Sequence, residues 1–103
     1  MIVALEFALR QADGTVIVVM GARLFVGNLS LDTTPEALRD TFAPFGEVTD
    51  VHVIVDRYSG RPRGFAFVTM ASPAQAVSAM HELNGVMLDG RPMRVNEAEA
   101  RRH

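Results

Sequence analysis

Residues Arg63 to Met70 run Arg-Gly-Phe-Ala-Phe-Val-Thr-Met, and their alternation constrains the fold more than any other stretch. Side chains of a strand point to opposite faces in turn, so Arg63, Phe65, Phe67 and Thr69 share one face while Gly64, Ala66, Val68 and Met70 share the other. A strand buried on both sides has no reason to collect its aromatic rings on one face and its small and aliphatic side chains on the other. The pattern suits a sheet packed against helices on one side and left as a flat aromatic platform on the other. Arg23 to Asn28 (RLFVGN) repeats it, with Phe25 outward and Leu24 and Val26 inward.

The segments around these strands set an element order. After the break Leu29-Ser30-Leu31-Asp32, the run Thr33-Thr34-Pro35-Glu36 reads as a helix start. Thr33 is placed to cap, Pro35 suits the first turn, and Glu36 follows Thr33 by three as in a capping box. Leu38 and Phe42 then share a face, and Pro44 to Gly46 ends the helix. Val48 to Val55 is rich in β-branched residues and reads as a strand; the polar stretch Asp56 to Pro62 is a loop, and Gly64 to Met70 the next strand. Ser72, Pro73 and Gln75 repeat the helix-start chemistry, Ala76, Ala79, Met80 and Leu83 follow at helical spacing, and Asn84-Gly85 stops the helix. Asp89-Gly90 signals a tight turn before a last strand, Pro92 to Ala98.

This β-α-β-β-α-β order predicts an α+β fold, the ferredoxin-like sandwich. Its four-stranded antiparallel sheet takes the order 4-1-3-2, and right-handed crossovers put both helices on one face. The division expected is an N-terminal extension over 1–19, a domain over 20–98 and a short tail over 99–103. In the extension, Glu6 and Arg10 make a helix-type pair while Thr15 to Met20 is β-branched, so helix-then-strand and hairpin both stay open.

Composition removes several classes of function. The 103 residues are 49% apolar, enough for one core, and contain no cysteine, which excludes disulfides, thiolate nucleophiles and cysteine metal sites. No apolar run reaches the roughly 18 residues of a membrane span, and no positive charge precedes Arg10, so a cytoplasmic protein without a secretory signal is expected. All ten basic residues are arginine, against 12 acidic ones, for a net charge of −2. Bulk charge therefore does not favour a polyanion, and any nucleic-acid role rests on a local patch and on stacking.

RGFAFVTM matches the longer ribonucleoprotein signature of the RNA recognition motif, K/R-G-F/Y-G/A-F-V-x-F/Y, at every specified place but the last, and LFVGNL (24–29) is similar to its shorter signature. The resemblance covers residues 23–98, 76 of 103, and is nearest in flavour to single-domain RNA-binding proteins of bacteria and the glycine-rich, cold-inducible type. The departing residue, Met70, falls on the core-facing side. The resemblance implies that Phe25 and Phe65 stack on successive bases and that Phe67 lies against the sugars between them. It gives Arg63 a phosphate, to which a guanidinium offers a bidentate fork. On the flanking strands, alternation points His52, Ile54, Arg94 and Asn96 outward, where family members read base edges; Asn96 is the best candidate for a specific contact. Arg23 and Arg61 join the expected RNA-binding set. Arg57, Arg61 and Arg63 gather around one loop, and Arg91, Arg94, Arg101 and Arg102 toward the carboxyl end.

The expected function is single-stranded RNA binding by stacking, in post-transcriptional regulation or RNA chaperoning. The rival is a protein-interaction module of the same fold whose RNA surface is covered or gated by residues 1–19, a segment through which a homodimer is also open. No catalytic residue, metal, cofactor, small-molecule substrate or membrane is expected. His81-Glu82 lacks the second histidine of a zinc-protease motif because position 85 is Gly, and Gly60 and Gly64 lack the Lys-Ser/Thr of a phosphate loop. An acylphosphatase shares the plan, yet fold does not imply function, and no phosphate-cradling loop with a positioned Arg and Asn is present.

Overall fold

The computed structural model describes residues 8–10, 16–18 and 21–98. Two short strands, β1 (Ala8–Arg10) and β2 (Val16–Val18), precede β3 (Arg23–Gly27), α1 (Pro35–Phe42) and a 3-10 turn at Ala43–Phe45. Next come β4 (Val48–Val55), β5 (Pro62–Met70), α2 (Pro73–Leu83), β6 (Met87–Leu88), β7 (Arg91–Pro92) and β8 (Arg94–Glu97). The main sheet has four antiparallel strands in the order β4-β5-β3-β8. That is the predicted 4-1-3-2 order of a ferredoxin-like α+β sandwich.

The core lies between one sheet face and the two helices. Leu24, Val26, Ala66, Val68 and Val95 point inward from the strands and meet Leu38 and Phe42 of α1 and Ala76, Ala79 and Leu83 of α2, all buried. Met70 is buried among them, so the one departure from the longer signature is spent on packing. Removing such side chains from water, at roughly 25 cal/mol per Å² of apolar surface, is what holds the helices to the sheet.

Both helices begin as their sequences require, one of them a residue later than expected. Ser72 caps α2, its hydroxyl accepting the Gln75 N–H at 3.2 Å. At α1 the cap is Thr34 and not Thr33: the Thr34 hydroxyl accepts the Ala37 N–H at 3.0 Å. Pro35 decides this, because a proline at the first helical position makes the residue before it the cap. Thr33 is buried instead, its hydroxyl donating to the Asp89 carboxylate at 2.8 Å.

Two strand boundaries also differ from expectation. β5 starts at Pro62, two residues earlier than expected, because Val53 pairs with Ala66 and Val55 with Pro62. Four residues of β5 thus span two of β4. Gly64, within this bulge, has a positive φ of +91°, which a glycine adopts without strain. The last strand is split. Arg91–Pro92 pairs with Met87–Leu88 in a separate hairpin, whose two-residue loop Asp89-Gly90 has both φ positive, at 52° and 85°. Buried Met93 separates it from β8, and the Val95 N–H donates to the Asn84 side chain at 2.9 Å.

Of the two alternatives for the extension, the described residues take the hairpin. Ala8, Leu9 and Arg10 pair with Val18, Ile17 and Val16 in a two-stranded sheet of their own. The rest of the extension and the tail over 99–103 lie outside the described residues.

Candidate nucleic-acid interface

Strand register sets the centre of the open face. His52 stands opposite Phe67, Phe67 opposite Phe25, and Phe25 opposite Asn96, so one row crosses β4, β5, β3 and β8. All four side chains leave the sheet away from the helices, because their strand neighbours Leu24, Val26, Ala66, Val68 and Val95 are the ones buried. His52 and Asn96 are exposed and Phe25, Phe65 and Phe67 half-buried.

The rings form one cluster. Phe25 and Phe65 have centroids 5.6 Å apart and planes tilted by 36°, while Phe67 stands edge-on to both, at 5.9 Å from Phe25 and 6.5 Å from Phe65. Edge-to-face pairs at these distances hold one another in place through the ring quadrupoles. The Arg23 guanidinium lies over the Phe67 ring, 4.1 Å from its centroid. A planar cation on an aromatic face extends the flat surface by one more group.

Gly27 makes room for this arrangement. A Cβ at that position would sit 2.7 Å from Cε2 of Phe25, since the ring leans across the glycine. The sequence reading passed over Gly27; the signal for it was a glycine two residues after an outward aromatic, on the same strand face.

At one end of the platform a cleft of about 740 Å³ opens between the rings and the β3–α1 loop. Phe25, Phe65, Arg63, Arg91 and Arg94 line it together with residues 28–32 of that loop. Its wall is pinned from far along the chain. Asn28, at a φ of +56°, donates from Nδ2 to the Pro92 carbonyl at 2.8 Å and accepts from the Arg91 Nη2 at 2.6 Å. Arg91 Nε also donates to the Asn28 carbonyl at 3.3 Å. This clamp joins residues 63 positions apart, which is why reading along the sequence missed it.

Arg63 and Arg94, expected on different strands, line the same cleft together with Arg91. Ile54 is half-buried on β4, where the bulge interrupts pairing, and Arg61 sits in the β4–β5 loop. Arg101 and Arg102 lie outside the described residues. In that loop the Asp56 carboxylate is held below its ordinary pKa, chiefly by the Ser59 backbone N–H, which desolvation opposes and to which the Ser59 side chain, the Tyr58 N–H and the Arg63 charge add. His81 is exposed on α2. Among the described residues no three His, Asp or Glu side chains cluster to hold a metal, and no helix is long and apolar enough to cross a membrane.

Comparison with known proteins agrees with this geometry. The family model described as RNA recognition motif matches residues 24–94. Glycine-rich RNA-binding protein 1 of Mycosarcoma maydis is 49% identical over 82 residues, which are 80% of this chain and 47% of that protein. The mitochondrial glycine-rich RNA-binding protein 2 of Arabidopsis thaliana is 49% identical over 82 residues, 80% of this chain and 52% of that one. The chain therefore spans about half the length of these relatives. The crystal structure of the RNA-binding protein PG1 superposes with a TM-score of 0.74 at 38% identity, covering 80% of this chain and 99% of that one.

Proposed function

The chain belongs to the RNA recognition motif family, and from that premise we propose that its open sheet face binds short single-stranded RNA. Two successive bases stack on Phe25 and Phe65, and Phe67 lies against the sugar between them. Arg63 meets a phosphate, and Arg94, Asn96 and His52 meet base edges. Asn96 stands beside Phe25 and offers both a donor and an acceptor. The observation that carries this reading is the row His52–Phe67–Phe25–Asn96, with its rings half-exposed on the face opposite the helices.

Such a platform binds and does not turn substrate over. Its cellular work, on this reading, is post-transcriptional: holding RNA open as a chaperone, or tuning the lifetime of a message. Cytoplasmic residence belongs to the same proposal, although one of the relatives is named as mitochondrial.

An amide NMR titration with a random-sequence pool of short single-stranded RNA tests the proposal. Shifts centred on Phe25, Phe65, Phe67 and Asn96 are expected. Phe65→Ala should weaken binding about 5- to 150-fold with the fold intact, since each stacked base contributes about 1–3 kcal/mol. A sheet that stays silent on addition of RNA would sink the reading and leave a protein partner as the one to seek.

A further inference from the structure

The cleft at the end of the platform contains a group that a surface for a polyanion has no use for. Among the described residues that line it, Asp32 is the one acidic side chain, beside Arg63, Arg91 and Arg94. A carboxylate near the path of a phosphate chain weakens binding through like-charge repulsion. Its presence there calls for a different ligand group.

The backbone that carries it is held in place. The Asp32 N–H donates to the Ser30 hydroxyl and the Thr33 N–H to the Ser30 carbonyl, each at 3.1 Å. On one side of this turn the Asn28 amide is bonded to Arg91 and to the Pro92 carbonyl; on the other the Thr33 hydroxyl donates to Asp89 at 2.8 Å. The segment bearing Asp32 is thus fastened at both ends to the β6–β7 hairpin. None of these bonds uses the Asp32 carboxylate, which is exposed and has no hydrogen-bond or ion-pair partner among the described residues.

A carboxylate accepts hydrogen bonds and donates none, so the base that it meets must present donors. Uracil presents one ring N–H, and adenine and cytosine one amino group each. Guanine alone presents two donors side by side, N1–H and the 2-amino group, which meet two carboxylate oxygens as the paired N–H groups of a guanidinium do. Guanine also presents O6 and N7, the acceptor pair that an arginine fork takes in its commonest base-specific contact. Asp32 enters the cleft from the loop after β3 and Arg94 from β8, so an acceptor pair and a donor fork converge on it from two elements.

We propose that the base held at this end of the platform is a guanine, with the Asp32 carboxylate on its N1–H and 2-amino group and the Arg94 guanidinium on its O6 and N7. This rests on the reading of the sheet as an RNA surface and names the base that one position of it selects. It also gives the negative charge a purpose: Asp32 lowers affinity for RNA in general and raises it for one base, which is how a repulsive group produces specificity.

The sign of one substitution tests this. The full chain is titrated with oligouridines of about 6 nucleotides that carry one guanine, one inosine, one 7-deazaguanine or no replacement. Inosine lacks the 2-amino group and 7-deazaguanine lacks N7. Wild-type protein should bind the guanine RNA roughly 5- to 150-fold more tightly than plain oligouridine, with inosine in between. Asp32→Asn removes the charge and keeps the shape. It should bind oligouridine at least as tightly as wild type, bind the guanine RNA more weakly, and no longer separate guanine from inosine. Arg94→Ala should stop separating guanine from 7-deazaguanine and still separate guanine from inosine. The turn uses only the backbone N–H of Asp32, so the asparagine does not threaten folding. If Asp32→Asn tightens guanine and uridine RNAs alike, the carboxylate is a repulsive charge only and the proposal is overturned. A wild-type protein that does not rank guanine first overturns it as well. In both cases the sheet reading stands so long as Phe65→Ala weakens every RNA. No effect of Phe65→Ala on any of them removes the sheet reading, and this inference with it.

Discussion

The smallest change that tests the platform is one methyl group. Gly27 has an ordinary backbone conformation, so alanine is tolerated there by the main chain, but its Cβ would lie 2.7 Å from Cε2 of Phe25 and the ring must move off the glycine. Gly27→Ala is therefore expected to weaken short single-stranded RNA by up to the 5- to 150-fold or so that losing one stacked base costs. The midpoint of thermal unfolding should fall by less than about 5 °C, because only a half-buried ring is displaced. Gly46 gives the opposite result for an equally small change. Its φ of 147° and ψ of −177° belong to a region that only glycine enters freely. A Cβ there would also run into the Gln75 amide, whose buried Oε1 has no hydrogen-bond partner among the described residues. Gly46→Ala should lose about 1–3 kcal/mol in chemical denaturation, and the fraction that stays folded should bind RNA as before. Two alanines, one read in affinity and the other in stability, separate the platform from the frame beneath it.

At the scale of elements, what was legible in the sequence is what depends on near neighbours. The faces of β3 and β5, the helix starts at Pro35 and Pro73 and the turn at Asp89-Gly90 all follow from residues a few positions apart, and with them the order of the whole sheet. Where two local signals compete, sequence alone ranks them poorly: Thr33 and Glu36 look like a capping box, yet Pro35 hands the cap to Thr34. Contacts that close only in three dimensions were not legible at all, among them the Asn28–Arg91 clamp, the Arg23 guanidinium on Phe67 and the ring over Gly27. The β4–β5 loop lies between these cases, since its Asp, Ser and Gly announce a turn but not which side chain the turn presents. Its anchor can be titrated. The Asp56 carboxylate is depressed below its ordinary value of 3.8, so the fastening it provides is present well above that value and is lost as pH falls through the lower folded-state pKa. Amide shifts of Tyr58 and Ser59 should therefore move together on acidification, with a common midpoint below 3.8. Asp56→Ala should show the loosened shifts at every pH, and a midpoint at or above 3.8 would contradict the fastening.

The whole molecule carries a net charge of −2, so its overall field does not draw in a polyanion, and binding must depend on where the arginines stand. Arg63, Arg91 and Arg94 share the cleft beside Phe25 and Phe65. With Arg94 on a base edge, Arg63 and Arg91 are left for phosphates, and if each neutralises one phosphate of a short RNA the slope of log affinity against log salt is about −1.4, at about −0.7 per contact on a single strand. Arg91 is the poor choice for a deletion, because its guanidinium also holds Asn28 and the cleft wall would change with it. Arg63 is the better one, being exposed on β5. Arg63→Ala should make the slope shallower by about 0.7, while Phe65→Ala should lower the line at every salt concentration and leave it parallel, because stacking releases no counterions. The two variants thus separate the two contributions in one experiment. A wild-type slope steeper than about −4 would require more phosphate contacts than the cleft has arginines, and RNA would then be held by charge outside the platform. A slope near −1.4 that Arg63→Ala leaves untouched would take the phosphates away from the cleft, with the stacking on Phe65 unaffected.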